Sequence, residues 1–231
     1  MISTALDLSE WFEQQLKTNG LHSEWSDAPL EEPWQVIPDS PKPISRIDSR
    51  FFSAVHVEVT LAEKREVQAW KQPLLQEADP KLFLGKEITG VILLVRKQVK
   101  LGQDLFLVQA KAEPGNSDRR SCLLLAPTIQ ASFSNALAHP GKVPLWTELD
   151  IDGFTRSEMT DTNNAPKLAC LGKDGGRFYR KNNLLALYDI SEEYPLVIPE
   201  THTWATRESI RELQLSGLGN EHLAEVFGTF L

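Results

Sequence analysis

Two stretches of the sequence hold side chains whose types and spacing could do chemistry. In LFLVQAKAEPGN, Gln109, Lys111 and Glu113 alternate with Ala110 and Ala112. A β-strand sends successive residues to opposite faces, so the three polar groups share one face about 7 Å apart. Pro114, Gly115 and Asn116 then break the strand. The following LAPTIQASFSN repeats the pattern: Thr128, Gln130, Ser132 and Ser134 share one face, and Ile129, Ala131 and Phe133 the other. Two strands with polar rows of this type could line one pocket. A solvated sheet face would show the same alternation. Gln, Ser and a single Lys–Glu pair, however, are less typical of exposed strands than Thr, Lys and Arg.

The second stretch is GGRFYRKNN, where Arg177, Arg180 and Lys181 surround Tyr179. Such a cluster suits a diphosphate, with Arg as the bidentate partner. It would equally serve as a charged hairpin edge that discourages aggregation. Other signatures are missing. The sequence holds no phosphate-binding GxxxxGK[ST] loop, no GxGxxG, no HExxH and no GxSxG. Its 5 histidines are scattered without ligand spacing, and its 2 cysteines, Cys122 and Cys170, form neither a CxxC nor a disulfide framework. No metal and no cofactor is expected.

The elements that would position these groups read as α+β. Leu8, Trp11, Phe12 and Leu16 recur at helical spacing within residues 4 to 19, with Gly20 as the stop. Residues 24 to 50 are rich in Pro and acid and read as an extended connector anchored by Trp25 and Trp34. From Phe51 the period changes to two, and Val55, Val57, Val59 and Leu61 mark a half-buried strand. The apolar run from Val91 to Val95 predicts a central strand, and the DLFLVQAKAE segment a third. A fourth strand is expected over 123 to 133 and a fifth over 177 to 188, with 153 to 176 as loop. Thr206 and Asn220 are expected to cap two final helices. Residues 1 to 50 would form a helix and wrap on the same single domain as a module spanning 51 to 231.

The chain has 231 residues and a formal net charge of −8, which disfavours general binding to nucleic acid. No apolar run is long enough to span a bilayer. The start carries Asp7, Glu10 and Glu13 where a secretory signal would be cationic and then apolar. The expected location is cytoplasmic, with no membrane partner.

Taken in order, DSRFFSAVHVEV, WKQPLL, LFLVQAKAEPGN with LAPTIQASFSN, GFTRSE, GGRFYRKNN and TWATRESIREL resemble the NDP-hexose 2,3-dehydratase family of bacterial deoxysugar pathways. The resemblance runs over roughly residues 30 to 231, in one copy of a module that the family usually holds in tandem. It implies a Nudix-like mixed sheet flanked by helices at both chain ends, without the Nudix metal box. It also implies a hydro-lyase that removes water across carbons 2 and 3 of a nucleotide-diphosphate-linked 4-keto-6-deoxy sugar, without redox cofactor or metal. The ketone acidifies the proton on carbon 3, a base removes it, a donor holds the oxyanion, and an acid helps the hydroxyl on carbon 2 to leave.

On that reading Glu113 or Glu158 is the base, and Lys111 or Tyr179 the donor or acid. Gln109, Asn116, Thr128, Gln130 and Asn135 would hold the sugar, and Arg177 and Arg180 the diphosphate. Alternatives are a single-module relative acting on a keto substrate not linked to a nucleotide, and a non-catalytic binding module. A lone module would restore the tandem contact as a homodimer, with Leu223, Val226, Phe227, Phe230 and Leu231 near the interface.

Overall fold

The computed structural model describes residues 5–19, 29–48, 52–63, 66–83, 85–99, 103–113, 122–138, 143–156, 168–174 and 178–231. Helix α1 (Ala5–Asn19) buries Leu8 and Phe12 of the predicted apolar stripe, with Trp11 and Leu16 half-buried against the same core. Strands β1 (Trp34–Val36) and β2 (Ile44–Arg46) follow, so the stretch read as an extended connector contains a short antiparallel strand pair. Pro33 precedes β1 and Pro38, Pro41 and Pro43 lie between the strands, so proline flanks the ladder and interrupts none of it. The Trp34 ring sits 5.2 Å from that of Phe52, whereas Trp25 lies outside the described residues.

β3 (Phe52–Glu63) and β4 (Glu66–Glu77) complete a four-stranded sheet in the order β1-β2-β3-β4. The period-two run found β3. Pro73 obscures β4 in sequence, and the strand tolerates it because β4 forms the edge.

The larger sheet holds the site. It begins after the short hairpin β5 (Lys81–Phe83) and β6 (Lys86–Ile88) with β7 (Gly90–Lys97) and β8 (Leu105–Ala112). The expected fourth strand is two strands, β9 (Leu123–Pro127) and β10 (Ile129–Ser132), after which Phe133 starts helix α2 (Phe133–Ala138). α3 (Ile151–Arg156) and β11 (Leu168–Asp174) then replace part of the expected 153 to 176 loop. β11 pairs along its whole length with β12 (Lys181–Ile190), which begins four residues later than expected. β13 (His202–Thr206), α4 (Arg207–Leu215) and α5 (Glu221–Phe230) end the fold.

Both terminal caps form as predicted. Thr206 Oγ1 accepts the Ser209 N–H at 3.2 Å and Asn220 Oδ1 accepts that of Leu223 at 2.9 Å.

β7 and β8 pair only over Val95–Lys97 and Leu105–Leu107 and then part company. β8 takes β9 as its partner and β7 takes β10. The sheet therefore forks, and Thr128, between β9 and β10, sits at the apex. Its hydroxyl accepts the Val95 N–H at 2.9 Å and donates to the Leu107 carbonyl. Val95 and Leu107 are the last registered pair before the fork, so one hydroxyl satisfies a donor and an acceptor where the ladder opens.

Apolar side chains pack on both faces of this sheet. Val91, Leu93, Val95 and Leu107 belong to one cluster, and Ile92, Leu94, Phe106 and Val108 to the other, with Leu8, Phe12, Leu223 and Val226. Helices thus stand at both chain ends around mixed sheets, the expected α+β class.

Candidate active site

Lys111 reaches from β8 across the fork, and its Nζ donates to the Gln130 carbonyl on β10 at 2.9 Å. The Gln130 side chain in turn donates to Glu113 Oε1 at 3.1 Å. Asn220, at the start of α5, donates to the same Glu113 oxygen at 2.8 Å and to Gln130 Oε1 at 2.6 Å. The expected row on β8 and the row on β10 thus converge through the fork, and the cap of a distant helix joins them.

A cavity of about 130 Å³ opens beside this network, with Lys111, Gln130, Ser132 and Asn135 in its wall, while Glu113 and Asn220 adjoin it through Gln130 and are not part of the wall. Glu77, Lys181, Asn183 and His222 complete the polar lining. Lys181 Nζ lies 3.3 Å from Glu77 Oε1 and 4.0 Å from the Phe178 ring centre, and Ser134 Oγ donates to Glu77 Oε2 at 3.2 Å. Gly90 on β7 stands in register with Ser132 of β10 and Asn183 of β12. A Cβ there would stand 2.7 Å from the Ala131 carbonyl oxygen and 2.9 Å from Asn183 Oδ1. Glycine therefore lets β10 and β12 close on this part of β7.

Electrostatics single out Lys111. Burial disfavours its ammonium and pushes the pKa down to about 8, nearby Glu113 pulls it back up, and Lys181 adds to the lowering. An amine in that range exchanges protons near physiological pH, unlike an ordinary lysine. His202 is also held below its usual range, chiefly by burial, while its bond to Thr128 opposes the shift. Its Nε2 faces the Thr128 carbonyl at 3.0 Å, which only accepts, so the neutral ring carries its proton on Nε2. Nδ1 then accepts from the Thr201 hydroxyl at 3.0 Å.

The remaining candidates divide clearly. Gln109 is on β8, but its amide donates to the Pro127 carbonyl at 2.7 Å and ties down the apex of the fork. Thr128 is buried at that apex with its hydroxyl engaged on both strands, which leaves it no reach to the cavity. Tyr179 and Arg180 are outside the cavity wall: the Tyr179 N–H donates to Leu75 at 2.7 Å, and the exposed Arg180 lies 5.0 Å from the Tyr179 ring centre. Asn116, Glu158 and Arg177 lie outside the described residues. Sequence reasoning missed Glu77, Asn183 and His222. Glu77 and His222 come from elements far from the two polar rows, and only the folded arrangement brings them near.

The family model for NDP-hexose 2,3-dehydratase matches residues 5–218. The chain belongs to that family. A relative from Saccharopolyspora spinosa, named dTDP-4-dehydro-6-deoxy-alpha-D-glucopyranose 2,3-dehydratase, is 27% identical over 172 residues, 74% of this chain and 31% of the relative. One of the same name from Amycolatopsis orientalis is 29% identical over 147 residues, 62% of this chain and 26% of the relative. The matched stretch thus spans less than a third of each relative's length. Within this NDP-hexose 2,3-dehydratase family chain, the match takes in every element of the fork and stops just before Asn220. Among the described residues no helix is long and apolar enough to cross a membrane, and no group of His, Cys, Asp and Glu could hold a metal ion.

Proposed function

We propose that the chain is a carbon–oxygen lyase that removes water from a nucleotide-diphosphate-linked 4-keto-6-deoxy sugar in deoxysugar biosynthesis. The observation that carries this reading is the joining of Lys111, Gln130, Glu113 and Asn220 in one hydrogen-bonded network beside a polar cavity. Family membership and the names of the relatives supply the substrate class. Glu113 takes the proton on carbon 3, and the C–H electrons move into the ring to give an enolate on the carbon 4 oxygen. Lys111, protonated, donates to that oxyanion. The enolate collapses, the C2–O bond breaks, a C2=C3 double bond forms, and the departing hydroxide takes a proton to leave as water. The reading requires no oxidant, because the electrons lost at carbon 3 reduce carbon 2.

Among the described residues, both bonds to the Glu113 carboxylate fall on Oε1, which favours Oε2 as the basic atom. Glu158 and Tyr179 are the alternative base and acid on the resemblance, and Arg177 with Arg180 the diphosphate contact on the resemblance and on the cation cluster they form in the sequence. The test is turnover of a thymidine-diphosphate-linked 4-keto-6-deoxyglucose, followed by mass spectrometry for loss of water. A purified chain that binds this compound and never dehydrates it rejects the lyase reading in favour of a binding module.

Cytoplasmic location and homodimer formation belong to the same proposal. The C-terminal residues first cited for the dimer interface give it little support, since Leu223 and Val226 are buried in the chain's own core and Phe227 packs 5.4 Å from Phe106. The resemblance to tandem modules supports it instead, and light scattering showing one species near 26.0 kDa would reject it.

A further inference from the structure

Asn220 spends all three of its side-chain hydrogen-bonding groups at once. Its oxygen caps α5 by accepting the Leu223 N–H at 2.9 Å. Its amide nitrogen donates to Glu113 Oε1 at 2.8 Å and to Gln130 Oε1 at 2.6 Å. Gln130 closes the triangle by donating to Glu113 Oε1 at 3.1 Å. Asn220 is itself buried, with 3% of its surface exposed, and its backbone is pinned by an N–H bond to Leu125 on β9 at 2.9 Å. A helix start is thus fixed against the fork from two sides, and the carboxylate just after β8 is fixed to the helix start.

A cap alone explains only the oxygen. Ser, Thr, Asp and Asn all cap helices well. Of these Asn alone also offers two N–H donors, and here both are used, on two acceptors from different arms of the fork. A buried position that uses both donors selects the amide over an equally good capping carboxylate.

We infer that Asn220 is a positioning residue, which orients the Glu113 carboxylate by clamping one of its oxygens to Gln130 and to the start of α5. The role rests on the lyase reading in so far as Glu113 is the base, but the clamp itself is a contact that can be measured without turnover. His222, two residues further along α5, lines the cavity, so the same anchor sets the helix residue that reaches it. A carboxylate displaced by about 1 Å from its working position costs on the order of 10²-fold in rate.

The experiment is a double-mutant cycle with a kinetic arm. Asn220→Asp keeps the cap acceptor, removes both donors and sets a carboxylate against Glu113. Glu113→Gln in the same chain supplies an amide that donates to this introduced carboxylate, in the reverse direction. The expected result is that Asn220→Asp lowers the melting temperature, and that adding Glu113→Gln restores much of the loss. Equal melting temperatures for Asn220→Asp with and without Glu113→Gln would overturn the clamp.

The kinetic arm uses Asn220→Ser, which still caps α5 and lacks the amide. The expected result is a fall in kcat of ~10–100-fold with KM nearly unchanged, the mark of a misplaced base. Unchanged kcat in Asn220→Ser would overturn the positioning role. If the unaltered chain shows no turnover at all, the lyase reading fails, and the melting cycle alone decides the clamp.

Discussion

Lys111 Nζ lies 2.9 Å from the carbonyl oxygen of Gln130, across a gap between two strands, β8 and β10, that do not pair with each other. The contact puts a cation in the opening of the fork, where burial makes its charge costly. Two opposite pH effects follow from one group.

Below a pH of about 8 the folded chain holds this lysine protonated against its burial, and the full penalty is present. Between about 8 and the ordinary 10.5, the unfolded chain still binds the proton that the folded chain has lost. Stability from this group therefore rises with pH across that window. Lys111→Met should remove the rise, measured as urea midpoints at several pH values against the parent chain. Parallel curves for the two proteins would refute it.

Activity should move the other way. If protonated Lys111 holds the oxyanion, kcat declines as pH rises through about 8, because the donor is lost. A kcat that instead climbs through that range would make Lys111 the base.

Glu113→Gln keeps an oxygen where Asn220 and Gln130 donate, so the fold and ligand binding should survive. If Glu113 is the base, its loss should lower kcat by ~10²–10⁴-fold. Calorimetry with the thymidine diphosphate sugar and a steady-state assay separate the two effects. Undiminished turnover would move the role to Glu158.

Thr128→Val preserves shape at the apex of the fork and deletes the hydroxyl that serves Val95 and Leu107. Leaving a buried donor and a buried acceptor without partners costs about 1–3 kcal/mol each. Thermal or urea unfolding should show Thr128→Val destabilised by at least about 2 kcal/mol, with Thr128→Ser close to the parent. Parent-like stability in Thr128→Val would remove Thr128 from this role.

Gly90→Ala sets a Cβ 2.7 Å from a backbone carbonyl that belongs to β10, not to the flexible end of a side chain. The strands must shift, at a cost of about 1–3 kcal/mol. Because the shift moves Ser132 and Asn183 at the cavity, ligand affinity should weaken along with stability. A variant equal to the parent in both melting and calorimetry would show that the contact relaxes freely.

Much of the sheet was legible because alternation is a local property. Lys111 and Glu113 could be put on one face of a strand from five residues, and Gln130 on another. The fork was not legible, since LAPTIQAS reads as one apolar run and nothing local says that Thr128 divides it between two partners. β11 was hidden for a related reason: Gly172 and its polar neighbours read as loop, and only pairing with β12 makes the segment a strand. Asn220 is legible as a cap from its neighbours in sequence. Its second role depends on Glu113, which no local window contains.

That distance also has a temporal side. Glu113 and Asn220 are 107 residues apart in sequence. At ordinary rates of synthesis of about 5–20 residues per second, the carboxylate leaves the ribosome roughly 5–20 s before its clamp exists. During that interval β8 can pair with β9 and Gln130 can reach Glu113, while the Asn220 amide is still missing. Closing so long a loop comes late in folding, so Glu113 is clamped only after β8 and β9 have paired beside it, and a nascent chain would hold that arm of the fork before its carboxylate is fixed.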